Sequence, residues 1–135
     1  MAIRIGDRVS HEFVVDETAM EWFRRVSGDD SRIHTDAAYA QERGYPEVIV
    51  YGGIMLAQLS HVLGTKLPGR HGTSMRWTID YRKPLYVNEA ARLDLEVVNV
   101  SALGVVESKF SITAAGKTVA TGATQSIVPA QEVVE

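Results

Sequence analysis

An aspartate and a histidine five positions apart are the residues of this chain best suited to moving protons. They lie in Phe23–Ala40, which reads FRRVSGDDSRIHTDAAYA. A helical run ends at Ser27-Gly28, Asp29 and Asp30 follow, and His34 comes next. Five residues between helix ends can curl so that Asp29 and His34 face one point, where a carboxylate and an imidazole can share a water for general acid–base chemistry. The same spacing fits a plainer reading, in which Asp29 caps a turn after glycine and His34 is a satisfied, partly buried histidine. Asp30 reads as solvated.

A second group of candidates sits at Gly52-Gly53, where a strongly apolar stretch begins. A helix N-terminus offers unpaired N–H groups and a partial positive charge, and glycine lets a substrate approach the backbone. That suits a carbonyl oxygen gaining negative charge, and it equally suits a sharp turn into a helix. Further along the stretch, Ser60 can bond back to its own helix and His61 reads as polar packing. His11 and His71 have no ligand-type neighbours at useful spacing, so no metal site is expected. Trp77 and Tyr81 fall on the apolar face of a strand and read as core. The chain lacks a Gly-rich phosphate loop, a G-x-S-x-G elbow and any cysteine, which disfavours covalent catalysis.

The elements that must position these residues follow from periodicity. Val9–Val15 is strand-like, and Asp16 is placed to cap a helix over Glu17–Val26 with Met20, Phe23 and Val26 toward the core. Thr35-Asp36 can cap a short helix through Glu42, with Gly44 just beyond its end. Tyr45-Pro46-Glu47 is a turn. Gly52 to about Gly64 lacks β-branched alternation and is apolar on nearly every side, which predicts a helix buried all round. After Pro68-Gly69 the period changes to two, with Met75, Trp77, Ile79 and Tyr81, and then Leu93, Leu95 and Val97, alternating with polar residues. Two more strands are expected over Val105–Thr113 and Lys117–Val128 around a tight Ala115-Gly116 turn. The tail Gln131–Glu135 is expected to fray. A long apolar helix followed by antiparallel strands predicts an α+β fold with the sheet curled around the helix.

Bulk composition narrows the partners. The 135 residues read as a single domain over 1–135, and 14 Lys+Arg against 17 Asp+Glu leave a formal charge of −3 with no basic cluster. Nucleic acid is therefore not expected as a partner. Zero cysteines fits a reducing cytoplasm. The N-terminus carries no signal-like apolar core, and Val48–Leu59 is too short and too interrupted to span a bilayer, so no membrane association is expected.

Several of these stretches together resemble the MaoC-like dehydratases and (R)-specific enoyl-CoA hydratases. The resemblance rests on Phe23-x-x-Val26-Ser27-Gly28-Asp29-x-Ser31-Arg32-Ile33-His34 with Ala40 beyond it. It extends through Ile49-Val50-Tyr51-Gly52-Gly53, Leu63-Gly64-x-x-Leu67-Pro68-Gly69 and Tyr81-Arg82-Lys83-Pro84-Leu85, covering about Asp16 to Val128. It implies a hot-dog fold, a long helix wrapped by an antiparallel sheet, and a homodimer or an assembly of dimers. It implies that Asp29 and His34 are catalytic, that the Gly52 N–H faces a thioester oxygen, and that Gly53, Ser60, Ser31 and Tyr51 line the substrate site. Two departures stand out: Ser31-Arg32 replaces the family's Asn-Pro, and Tyr51-Gly52 replaces its usual His-Gly. The resemblance implies no cofactor.

The function expected from these features is reversible hydration of trans-2-enoyl thioesters to (R)-3-hydroxyacyl thioesters. The carrier is either coenzyme A or acyl carrier protein. Alternatives on the same fold are an acyl-thioester hydrolase and a non-catalytic acyl-thioester-binding module.

Overall fold

The structure, a computed structural model, describes residues 2–135. Strand β1 (Arg8–Val14) leads into helices α1 (Glu17–Ser27), α2 (Arg32–Thr35), α3 (Ala37–Glu42) and α4 (Gly52–Thr65). Strands β2 (Thr73–Tyr81), β3 (Ala90–Val100), β4 (Val105–Ala114) and β5 (Lys117–Ile127) follow, with a single 3₁₀ turn at Ala130–Glu132. Apart from the short α2, which falls in what the sequence reads as a loop, the elements fall where periodicity and turn residues predict them. Asp16 caps α1 by accepting from the Ala19 N–H at 2.8 Å, and Gly28 ends it in the left-handed region at φ 74°. Asp36 caps α3 through the Tyr39 N–H.

One antiparallel sheet of order β1-β3-β4-β5-β2 carries the fold. The β3–β4 and β4–β5 hairpins pair sequence neighbours, while β1 and β2 close the two edges. Because α1–α4 connect those edge strands, the helical layer lies across the sheet. Leu93, Leu95 and Val97 of β3, and Phe110 and Ile112 of β4, are buried in one core with Ile54, Leu59, Val62 and Leu63 of α4. Their alternation along each strand puts every second side chain on the helix side, and removing that apolar area from water drives the packing.

Four expectations need correction. Helix α4 is not buried all round: Ala57, Ser60, His61 and Gly64 form an exposed stripe opposite Leu59 and Val62. A single five-stranded sheet covers one side of a helix. Val26, expected in the core, is 84% exposed at the end of α1. Tyr81 shares a strand face with Trp77 and Ile79, but β2 is an edge strand and Tyr81 is 51% exposed. The tail is tied down rather than frayed, since the Ile3 N–H donates to the Glu132 carbonyl at 2.7 Å and the Val134 N–H to the Ile3 carbonyl at 2.9 Å. A bridge between Ile3 and Val133 lies far apart in sequence, where local patterning is silent.

Candidate functional site

The loop between α1 and α2 is built by short-range hydrogen bonds. Ser27 Oγ donates to the Phe23 carbonyl at 2.7 Å and accepts from the Asp29 N–H at 3.0 Å, folding the chain back at the helix end. Asp29 Oδ1 accepts from the Ser31 N–H at 3.0 Å and the Ser31 hydroxyl at 2.6 Å. Those two donors, the hydroxyl first, hold the Asp29 carboxyl below the usual carboxylate range, with a smaller lowering from the charge of His34 and a partial offset from burial. Asp29 is therefore a carboxylate at neutral pH. Its side chain is exposed. Ser31 thus bonds Asp29 directly, without the rigidity of an Asn-Pro pair.

His34 is held differently. Its Nδ1 lies 2.6 Å from the Ile49 carbonyl. A carbonyl only accepts, so Nδ1 carries the proton and Nε2 is left as the acceptor of the neutral ring. The Ile49 N–H returns to the Ile33 carbonyl at 3.1 Å, and the Val50 N–H reaches the Leu85 carbonyl at 2.8 Å. The imidazole is thereby clamped between α2 and the strand-like segment that precedes α4. Its flat face stacks on Tyr51 with centroids 4.3 Å apart and planes at 27°.

Tyr51 joins the two halves. It is 2% exposed, and its hydroxyl donates to the Asp29 carbonyl at 2.5 Å while its ring carries His34. Burial, and then the Asp29 charge, push its phenol above the ordinary value, so it stays protonated. Tyr51 therefore positions both proton-transfer candidates.

Gly52 opens α4, where the first N–H groups have no partner inside the helix. A Cβ here would sit 2.6 Å from the Tyr81 ring and 2.7 Å from its hydroxyl, so a larger residue would have to push the Tyr81 ring aside. Gly53 is under the same constraint from the other side: a Cβ would stand 2.3 Å from the Phe23 ring. Phe23 in turn lies 4.8 Å from the Tyr51 ring. The glycine pair thus lets two aromatic rings close on the helix start.

His34 and Gly52 line one cavity of about 400 Å³ together with Ile49, Tyr81, Arg82 and Lys83. His34 also borders a second cavity of about 400 Å³, shared with Glu21, Arg24 and Tyr51. Asp29 lines neither; it is exposed, and Tyr51 links its backbone carbonyl to the His34 ring. Ser60 also lines neither, since it lies on the exposed stripe of α4 two turns from Gly52. His61, on that stripe, lies 4.5 Å from the ring of His11, whose Nε2 is 2.8 Å from Gln58 Oε1. Among the described residues, no group of three or more His, Cys, Asp or Glu is arranged to hold a metal ion, and no helix is long and apolar enough to cross a membrane.

Tyr81, Arg82 and Lys83 are the cavity residues that strand alternation alone misses. The Arg82 and Lys83 N–H groups both donate to the Val119 carbonyl of β5, which breaks the regular ladder just past Tyr81 while keeping the chain on β5. The signal in the sequence was Pro84, which cannot donate to a ladder and so marks the end of the strand. The Ile49 carbonyl, the anchor of His34, has no side-chain signature at all.

Comparison with known proteins places these features in context. Residues 3–123 match the profile of the MaoC-like domain family. An (R)-specific enoyl-CoA hydratase of Rhodospirillum rubrum is 27% identical over 134 residues, covering 96% of this chain and 90% of that protein. An R-hydratase of Pseudomonas aeruginosa, solved in the unliganded form, superposes with a TM-score of 0.88 at 26% identity, covering 94% of this chain and 83% of that one. An (R)-hydratase from A. caviae involved in PHA biosynthesis superposes with a TM-score of 0.89 at 20% identity over 94% of this chain and 98% of that one. The last of these speaks to the fold, and the fold is the hot-dog.

Proposed function

The chain belongs to the MaoC-like domain family, and from that premise we propose that it is a hydro-lyase that adds water reversibly to trans-2-enoyl thioesters, giving (R)-3-hydroxyacyl thioesters. The observation that carries this reading is the cavity shared by His34 and the Gly52 helix start, with the His34 proton fixed on Nδ1 by Ile49.

The division of labour follows from protonation states. Asp29 is ionised and can only accept, so it orients the water by taking a hydrogen bond. Nε2 of His34 takes one proton from that water as its oxygen bonds to C3. The electron pair of the C2=C3 bond moves toward the thioester carbonyl, whose oxygen gains charge against the Gly52 N–H. The enolate then collapses as His34 returns the proton to C2. One water is consumed, and both side chains end as they began. Tyr51, itself buried, covers one face of the His34 ring and keeps bulk solvent from it, which strengthens these electrostatic contacts. The reaction as written uses no cofactor.

The remaining parts of the reading concern partners and place. The substrate is an acyl thioester of coenzyme A or acyl carrier protein, with Arg82 and Lys83 at the cavity as the cations nearest its reactive end. Arg24, Arg25 and Arg32 are less free, being paired with Glu21 or Asp36. The open stripe of α4 supports a homodimer, or an assembly of dimers, in which Ser60 comes to face substrate while Gly53 stays against Phe23; the compartment is the cytoplasm. Purified protein should consume the absorbance of an enoyl thioester. Release of free thiol instead, or hydration undiminished in both Asp29→Ala and His34→Ala, would overturn the assignment.

A further inference from the structure

We propose that the Tyr81 hydroxyl is a catalytic hydrogen-bond donor that binds the thioester carbonyl oxygen alongside the Gly52 N–H. This inference rests on the hydration reading above and adds to it a residue outside the Asp29–His34 pair and the glycine.

Three observations converge on it. The first is distance. A Cβ on Gly52 would stand 2.7 Å from the Tyr81 hydroxyl oxygen and 2.6 Å from the ring carbon that bears it. Standard bond lengths and angles then put that hydroxyl no more than about 5.2 Å from the Gly52 nitrogen. Two donors that close can share one acceptor at about 2.9 Å from each.

The second is availability. Tyr81 is 51% exposed at the end of an edge strand and lines the cavity that His34 and Gly52 line. Among the described residues its hydroxyl has no protein partner, whereas the neighbouring Trp77 and Arg82 side chains are bonded to Ser74 and Thr121. Tyr51, the other phenol of the region, is already committed to the Asp29 carbonyl. Burial of part of the Tyr81 ring raises its phenol above the ordinary value, which keeps the proton on the oxygen at neutral pH.

The third is restraint. The ring can lie against the α4 start because Gly52 has no side chain, and the backbone that carries it is pinned just beyond by two N–H bonds to the Val119 carbonyl. A donor held in place before the reaction loses little in reorganisation as charge builds on the oxygen. Neither donor alone surrounds that oxygen; a backbone N–H and a phenol approaching from different elements do.

Tyr81→Phe separates this role from packing, because it removes one oxygen and leaves the ring. Enoyl-thioester hydration is measured at saturating and limiting substrate, with thermal unfolding of the same preparations. The expected result is a fall in kcat of about 10²-fold, in line with loss of one oxyanion donor, with KM changed by less than about threefold and an unfolding midpoint like the parent's. A Tyr81→Phe protein with parental kcat overturns the inference and leaves the hydration reading standing. A rise in KM at unchanged kcat also overturns it, by making Tyr81 a ground-state contact. Absence of hydration in the parent protein fails the underlying reading instead, and the inference with it.

Discussion

The two residues proposed to handle the water are held by opposite strategies. Asp29 is fixed by neighbours within two positions, Ser27 and Ser31, and stands exposed. His34 is fixed by Ile49, fifteen positions on, and by the buried ring of Tyr51. Local hydrogen bonds at a helix end can set a carboxylate's charge state without a core. A neutral imidazole of chosen tautomer needs a partner that only folding supplies. The difference fits the proposed roles: a carboxylate that accepts, and a ring whose Nε2 takes and returns a proton.

That comparison can be broken at its strong end first. His34→Ala should reduce kcat for hydration by roughly 10²–10⁴-fold, the range for removing a general acid–base group. Asp29→Asn, which keeps the shape and an acceptor oxygen, should cost less than that in the same assay. Equal losses would mean that both groups transfer protons. Gly52→Ala tests the far side of the cavity. Its Cβ would meet the Tyr81 ring at 2.6 Å, so kcat should fall by about 10²–10³-fold as the oxyanion contact is displaced. Denaturant titration should place the accompanying loss of stability at about 1–3 kcal/mol, as for overpacking elsewhere.

Tyr51→Phe strikes the link between the two halves. The stacked ring remains but the hydrogen bond to the Asp29 carbonyl is lost, which should cost about 1 kcal/mol of stability. A fall in kcat of roughly tenfold, equivalent to about 1.4 kcal/mol in the barrier, would show that the loop's position matters as well as its charge. The smallest effect is expected at Ser31→Ala. Asp29 should then titrate closer to the ordinary value of about 3.9, read from its carboxyl carbon by NMR. The sign is definite. With the folded value below the unfolded one, these hydrogen bonds stabilise the protein above the ordinary carboxylate range. That stability is lost as pH falls through the folded value. Ser31→Ala should therefore flatten this part of the acid loss; an unshifted Asp29 would show that Ser31 is not what sets its charge.

Much of this molecule was legible before folding. Asp16, Gly28 and Asp36 announce helix ends because caps act over three or four residues. Leu93, Leu95 and Val97 announce a strand because alternation is local. The motif around Asp29 and His34 pointed to proton transfer through a family pattern spread along most of the chain. Gly53 carried a different message from the one its place beside Gly52 suggested. The structure sets it against Phe23, a contact thirty residues back that no pattern of spacing encodes. Ser60, grouped with the site by the motif, lies on the exposed stripe of α4, away from both His34 cavities.

By itself, the sequence determined the element order, the residue types able to move a proton and the glycine at the head of the apolar helix, since each depends on neighbours along the chain. Only the tertiary structure decided that Nδ1 of His34 faces the Ile49 carbonyl, that Tyr51 bridges Asp29 and His34, and that Tyr81 lies over Gly52. Those decisions join elements 15, 22 and 29 positions apart, and a hydrogen bond or ring contact over such separations exists only once the sheet and α4 have buried their shared core.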